Sequence, residues 1–184
     1  MLTLSAILSR IVFYPSLSYN ILLSKISVRK WYNRIDDTVI LGAIPIKTLA
    51  DDIIKTENVG GIISLNEEYE MNYVMYTEAE WKDRNVEQLK IPIVDFIGTP
   101  SEADITRGLD FIAKYKDLDR SVYVHCKAGR TRSTTLVSCY LMKKHNWSPE
   151  KTISIVREKR PHIVLRQPHH DALKSFYKTL NPDA

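Results

Sequence analysis

The run Val122-Tyr123-Val124-His125-Cys126-Lys127-Ala128-Gly129-Arg130-Thr131-Arg132-Ser133 decides how this chain folds. An apolar stretch ends in a cysteine, five residues intervene, and an arginine and a serine follow. Beyond them Leu136, Val137, Tyr140 and Leu141 recur at helical spacing, so the pattern predicts strand, tight loop, helix. Cys126 then sits at the mouth of the loop. Loop amides and a helix N-terminus carry partial positive charge and favour an anion, which makes 127–132 (Lys127, Ala128, Gly129, Arg130, Thr131, Arg132) a phosphate cradle. The same field favours thiolate over thiol, so Cys126 is a nucleophile at neutral pH. Arg132 offers a planar fork for two phosphoryl oxygens, which a lysine cannot match. Gly129 lets the backbone turn close to the ligand. Ser133 can donate a hydrogen bond to the sulfur and help it leave.

A cysteine and an arginine at this separation arise often by chance. The full string His-Cys-x-x-Gly-x-x-Arg-Ser between a β-like run and a helix is far more specific, and outweighs the reading of a structural cysteine beside a basic turn. The stretch resembles the signature of the cysteine-dependent protein tyrosine phosphatase superfamily. Its form, His-Cys-Lys-Ala-Gly-Arg-x-Arg-Ser, is similar to one branch, the mitochondrial lipid phosphatases of dual-specificity type that act on phosphatidylglycerophosphate. That resemblance spans about 31–180. It implies an α/β fold, the cysteine-dependent dual-specificity phosphatase fold, with a small, mostly parallel central sheet flanked by helices. It also implies hydrolysis through a cysteinyl phosphate with no metal and no cofactor, and an anionic phospholipid substrate met at the matrix face of the mitochondrial inner membrane, in cardiolipin synthesis. A phosphoprotein or phosphoinositide phosphatase is the alternative enzyme, and a non-enzymatic phosphate-binding module the alternative of another class. Intact Cys126, Asp95 and Arg132 speak against the module.

Working outward, 61–65 reads as a buried strand, and Asn66-Glu67-Glu68-Tyr69-Glu70 follows it directly. Three glutamates after a strand usually mark a solvated loop. Beside a phosphate site they would repel substrate, unless one braces Arg132 or Arg130. Bracing is the expectation, with Glu67 and Glu70 equal candidates. The same run resembles the lipid phosphatase branch. Asp95 ends another apolar run and opens a loop with Gly98 and Pro100. Ser101 and Asp104 already form a capping box for the next helix, so Asp95 is free for chemistry. The resemblance makes it the general acid, which protonates the leaving oxygen and then activates water. His125 is expected to support the loop by hydrogen bonding, with its positive end helping to hold the thiolate. Of the two further loop cations, Lys127 is expected to face substrate and Arg130 to pair with the glutamate loop. The resemblance also brings Arg166 near the head group, although Gln167 stands before Pro168 where the family has proline directly after arginine. Residues 71–85 read as polar and aromatic, anchored by Trp81, and 86–91 as a strand.

The 184 residues suit one domain, 31–184, behind a short N-terminal segment, 1–30. Two cysteines are too few for a disulfide framework or a zinc cage, and Cys139 falls on the helix after the loop as a core residue. The net charge of +4 is uneven. Residues 1–35 hold five basic and no acidic residues, which leaves 21 basic against 22 acidic in the rest. A near-neutral body argues against nucleic acid as a partner, an RNA triphosphatase included. In 1–30, Leu4, Ile7, Leu8, Ile11 and Val12 share a helical face among serines and basic residues. That composition predicts a mitochondrial targeting segment, with a membrane-surface anchor or a packed first helix as the other readings.

Overall fold

A computed structural model describes Pro15, Leu17 and residues 29–182. The face expected from Leu4 to Val12 lies outside the described residues. The strands are β1 (Tyr32–Arg34), β2 (Val39–Gly42), β3 (Val59–Ser64), β4 (Glu87–Lys90) and β5 (Ser121–His125). They form one sheet in the order β1-β2-β5-β3-β4. Only β1 runs antiparallel; β2, β5, β3 and β4 are parallel, with Ile40 and Ile62 both in register with Tyr123. The described helices are α1 (Lys47–Glu57), α2 (Glu68–Met71), α3 (Glu78–Lys82), α4 (Glu102–Ala113), α5 (Arg132–His145), α6 (Pro149–Lys159) and α7 (Gln167–Leu180). The mostly parallel α/β architecture expected from the sequence is the one observed.

The apolar strands alternate between two cores because side chains along a strand point to opposite faces. Val39, Leu41, Ile63, Val122 and Val124 meet Leu109 of α4, Leu136 of α5, Ile153 of α6 and Leu173 of α7. Ile40, Ile62 and Tyr123 meet Ile53 of α1, Trp81 of α3 and Leu17. Both faces of the central strands are covered, which is why β2, β3 and β5 read as continuous apolar runs. Residues 71–85 hold more order than expected: Thr77 caps α3 through a capping box with Glu80, and Trp81 is fully buried. The expected strand at 86–91 is shorter and is an edge, with its two end residues exposed.

This topology fixes where a ligand goes. The helix after β2 packs on one face and the helix after β5 on the other. Adjacent parallel strands whose connections leave on opposite sides open a crevice at their carboxyl ends. The segment 126–131 fills that crevice. Gly129 has a φ of +62°, and a Cβ there would collide with the Gly42 carbonyl at the end of β2. The positive φ and the close approach both require glycine.

Candidate active site

Residues 126–131 curl between β5 and the first turn of α5. Thr131 precedes the helix without a side-chain cap, so the amides of the first turn stay open to a ligand. Cys126 is buried, and Ser133 Oγ donates to its Sγ at 3.3 Å. Burial pushes the Cys126 thiol up, but the Arg132 charge and the Ser133 hydrogen bonds outweigh it and bring the pKa below its ordinary value. The environment therefore favours thiolate. Cys139 shows the contrast: burial without a cation pushes its thiol well up, and it is an inert core residue.

Arg132 is almost wholly buried and held on one edge. Its Nη1 donates to Glu70 Oε2 at 2.7 Å and to the carbonyls of Ile93 and Leu65 at 2.9 and 3.2 Å, while Nη2 donates to Glu70 Oε1 at 3.0 Å. The brace is thus Glu70, on Arg132. Glu70 Oε2 also accepts from the Glu67 backbone N–H at 2.8 Å, in a capping box that opens α2. That box turns Glu70 inward and leaves Glu67 at the cap, a distinction that depends on one helical turn. Arg132 Nε is buried and has no hydrogen-bond partner among the described residues. A buried guanidinium N–H without a partner is costly unless a ligand takes it.

Asp95 comes to the same place from the turn after β4. Its Oδ1 lies 3.0 Å from Arg132 Nη2 and its Oδ2 2.5 Å from Lys127 Nζ. Burial pushes the Asp95 carboxyl up, yet the charges of Arg132 and Lys127 outweigh it and hold the pKa below its ordinary value. The expected capping box of Ser101 and Asp104 is present, so α4 is capped without Asp95. Lys127 turns inward, onto Asp95 and the Phe96 ring, whose centroid is 4.7 Å from Nζ. Arg130 Nε donates to the His162 carbonyl at 2.8 Å. Arg166 Nη1 donates to the Phe96 carbonyl at 2.9 Å, which joins the α6–α7 connection to the Asp95 turn.

Two points go beyond the sequence reading. His125 is neutral. It is fully buried, burial pushes its pKa down to about 3, and Arg132 adds to the shift. Its neutral ring lies 2.8 Å from Ser64 Oγ, which also accepts from Gln88 Nε2 at 2.9 Å, a cross-strand chain behind the loop. The second point is Arg160, which the sequence reading passed over. It is 1% exposed at the end of α6. Its Nε donates to Gly129 O at 2.7 Å and its Nη2 to Ala128 O at 3.1 Å. It also reaches the carbonyls of Lys30 and Trp31 and, at 2.6 Å, Asn33 Oδ1. Its hydrogen-bond acceptors are carbonyls and one amide oxygen, so no paired acid in the sequence announced it.

The dual specificity phosphatase catalytic domain profile matches residues 48–179. This chain belongs to that family. A dual-specificity phosphatase of this kind is a cysteine-dependent phosphoric monoester hydrolase. The chain is 44% identical to the rat phosphatidylglycerophosphatase and protein-tyrosine phosphatase 1 over 180 residues, 96% of this chain and 93% of the rat protein. It is 36% identical to the Arabidopsis thaliana phosphatidylglycerophosphate phosphatase PTPMT2, over 94% of this chain and 75% of the plant protein. Among solved structures, PTPMT1 in complex with PI(5)P superposes with a TM-score of 0.80 at 45% identity, over 83% of this chain and 98% of that one.

Proposed function

We propose that this phosphatase removes the terminal phosphate of phosphatidylglycerophosphate, giving phosphatidylglycerol for cardiolipin synthesis at the matrix face of the mitochondrial inner membrane. The observation that carries the chemistry is the unpartnered Nε edge of an otherwise fully held Arg132, next to a cysteine favoured as thiolate. Near-full-length similarity to a phosphatidylglycerophosphatase supports the substrate.

In this reading the phosphoryl dianion enters the loop and takes the Nε–Nη2 edge of Arg132. It displaces Asp95 from Nη2, so that carboxyl exchanges a cation for an anion as neighbour. The exchange raises the Asp95 pKa and supplies the protonated acid that the ligand-free site disfavours. Cys126 Sγ attacks phosphorus in line; the P–O bond to glycerol breaks, and Asp95 gives its proton to the leaving oxygen. Loop amides and Arg132 hold the charge on the three equatorial oxygens, the largest contribution in such sites. Asp95, now a carboxylate, takes a proton from water as it attacks the cysteinyl phosphate. The P–S bond breaks, and Ser133 donates to the departing sulfur. Neutral His125 holds the loop and transfers no proton.

A phosphoinositide is the second reading, supported by the PI(5)P bound in the solved relative. The test measures phosphate release from phosphatidylglycerophosphate, a phosphoinositide and a phosphotyrosine peptide side by side, with Cys126→Ser as control. Highest kcat/KM on phosphatidylglycerophosphate is the expected result. A clear preference for either of the others overturns the substrate, and turnover by Cys126→Ser overturns the mechanism.

A further inference from the structure

Five large hydrophobic side chains are exposed among the described residues: Tyr73, Phe96, Ile97, Leu118 and Val164. Scattered apolar side chains on a surface need no explanation, but these are not scattered. Leu118 lies just before β5, at the amino ends of the parallel strands. The other four lie beyond the carboxyl ends, where the phosphate loop opens. Tyr73 follows α2, whose Glu70 holds Arg132, and the adjacent Val74 carbonyl accepts from the N–H of Lys47 at the start of α1. Phe96 and Ile97 follow Asp95 in the turn closed by the Gly98 N–H to Val94 O bond. Val164 donates its backbone N–H to Arg130 O in the phosphate loop. Three separate connections thus present apolar side chains around one mouth. Tyr73, at 93% exposure, projects almost wholly into solvent, and both Tyr73 and Phe96 adopt positive φ, +67° and +69°. That conformation is unfavourable for bulky residues and is uncommon without a reason.

The charge at this end is arranged to suit. Glu70 and Asp95, the acids that touch Arg132, are neutralised by Arg132 and Lys127. Exposed Arg166 bonds the Phe96 carbonyl beside that ring, and half-buried Arg130 sits next to Val164. We propose that the catalytic end of the molecule docks on an anionic phospholipid bilayer, with Tyr73, Phe96, Ile97 and Val164 entering the boundary between headgroups and acyl chains. Arg166 and Arg130 then lie in the headgroup layer, where anionic lipid attracts them. This rests on the lipid-substrate reading above and adds the surface that makes it work. Cys126 is buried at the floor of the loop, so the phosphate must enter from the headgroup layer while the acyl chains stay in the bilayer. An apolar rim around the mouth permits that arrangement; no described helix is long and apolar enough to cross a membrane.

The test uses the full chain with vesicles of phosphatidylcholine containing one-fifth phosphatidylglycerol by design. Phe96 touches Lys127 and Ile97 bonds Asp95 through its backbone, so the variants avoid both. The double substitution Tyr73→Ser with Val164→Ser should weaken co-sedimentation with vesicles by about tenfold or more, since two apolar side chains no longer enter the interface. Hydrolysis of phosphatidylglycerophosphate in vesicles should fall with it. Turnover of para-nitrophenyl phosphate, and of a water-soluble short-chain phosphatidylglycerophosphate, should stay at the native level. Should the double variant also lose para-nitrophenyl phosphate turnover, Tyr73→Ser decides alone, because the Val164 backbone bonds the phosphate loop whereas Tyr73 follows α2. Equal vesicle binding by native and variant protein overturns the proposal. So does a native protein that ignores vesicles, which leaves this face to a soluble phosphoprotein. A native protein that binds vesicles but does not cleave the short-chain lipid overturns the substrate reading and leaves the docking face standing.

Discussion

Glu70 illustrates what a single buried charge does here. Its carboxylate grips Arg132 through two hydrogen bonds in a fully buried pair. Removing one partner of such a pair leaves an uncompensated charge and costs about 3–5 kcal/mol. Glu70→Ala should therefore lower the unfolding free energy by about that much, and kcat/KM on para-nitrophenyl phosphate by roughly 10²-fold, because Arg132 loses its fixed aim. Glu67→Ala should cost about 1 kcal/mol, the scale of a lost cap. Equal losses in both, by denaturant unfolding and steady-state kinetics, would contradict the assignment of the brace. Ser133 acts on pH dependence. Its hydrogen bonds to Cys126 favour the thiolate, so Ser133→Ala raises the thiol pKa. The acidic limb of the kcat/KM profile should then move to higher pH, while an unmoved limb would confine Ser133 to the departure of sulfur. That Cys126, Arg132, Ser133 and Asp95 come together was legible in the sequence, because three lie in one strand, loop and helix run and the fourth in a turn after an apolar run. The choice between Glu67 and Glu70 was not, since it turns on a capping box that faces one glutamate inward and the other to the cap. Nor was the neutrality of His125, which follows from its burial at the end of β5.

At the scale of elements, the phosphate loop is held from behind by α6. A peptide unit points its C=O and N–H in opposite directions. Arg160 takes the carbonyls of Ala128 and Gly129, so the N–H groups of Gly129 and Arg130, in the same peptide units, are turned the other way, towards the phosphate position. Burial pushes the Arg160 pKa down to about 10, which still leaves it charged at neutral pH. Its charge also polarises those peptides and strengthens their N–H groups as donors. Arg160 is a positioning residue. Arg160→Met should lower kcat/KM by roughly 10²-fold and weaken inhibition by inorganic phosphate. Arg160→Lys should not restore either, because one ammonium cannot span acceptors that a planar fork reaches. A fall in melting temperature with phosphate inhibition unchanged would reduce Arg160 to a structural tie. The strands β3 and β5 and the helices α4 and α5 were legible because continuous apolar runs, helical apolar spacing and capping boxes are local signals. Arg160 was not, because backbone carbonyls have no residue type to read. The short helices α2 and α3 were hidden for a similar reason, being set by Thr77 and Glu67 caps among residues with little apolar periodicity.

Across the whole molecule, the question is how the basic N-terminal segment relates to a near-neutral catalytic body. Its acid-free composition points to import, yet Leu17 is buried at 4% exposure in the core that holds Ile40, Ile53, Trp81 and Tyr123. Farther along, the carbonyls of Lys30 and Trp31 meet Arg160, which itself grips the phosphate loop. Leu17 is thus tied to the face of the sheet opposite the catalytic helix, and Lys30 and Trp31 to the back of the active site. A targeting segment that is removed contributes nothing to the folded enzyme, whereas a retained one stabilises it. Truncating a buried leucine costs about 2–5 kcal/mol, and in a protein of this size each 1 kcal/mol moves the melting temperature by about 2–4 °C. Leu17→Ala in the full chain should therefore lower the melting temperature by about 4 °C or more. A reporter carrying residues 1–35 should in parallel reach mitochondria. Import together with a lowered melting temperature means that one segment both addresses the protein and completes its second core. Import with no change in melting temperature means a passenger sequence only, and a shift without import makes it simply the first packed helix of the domain.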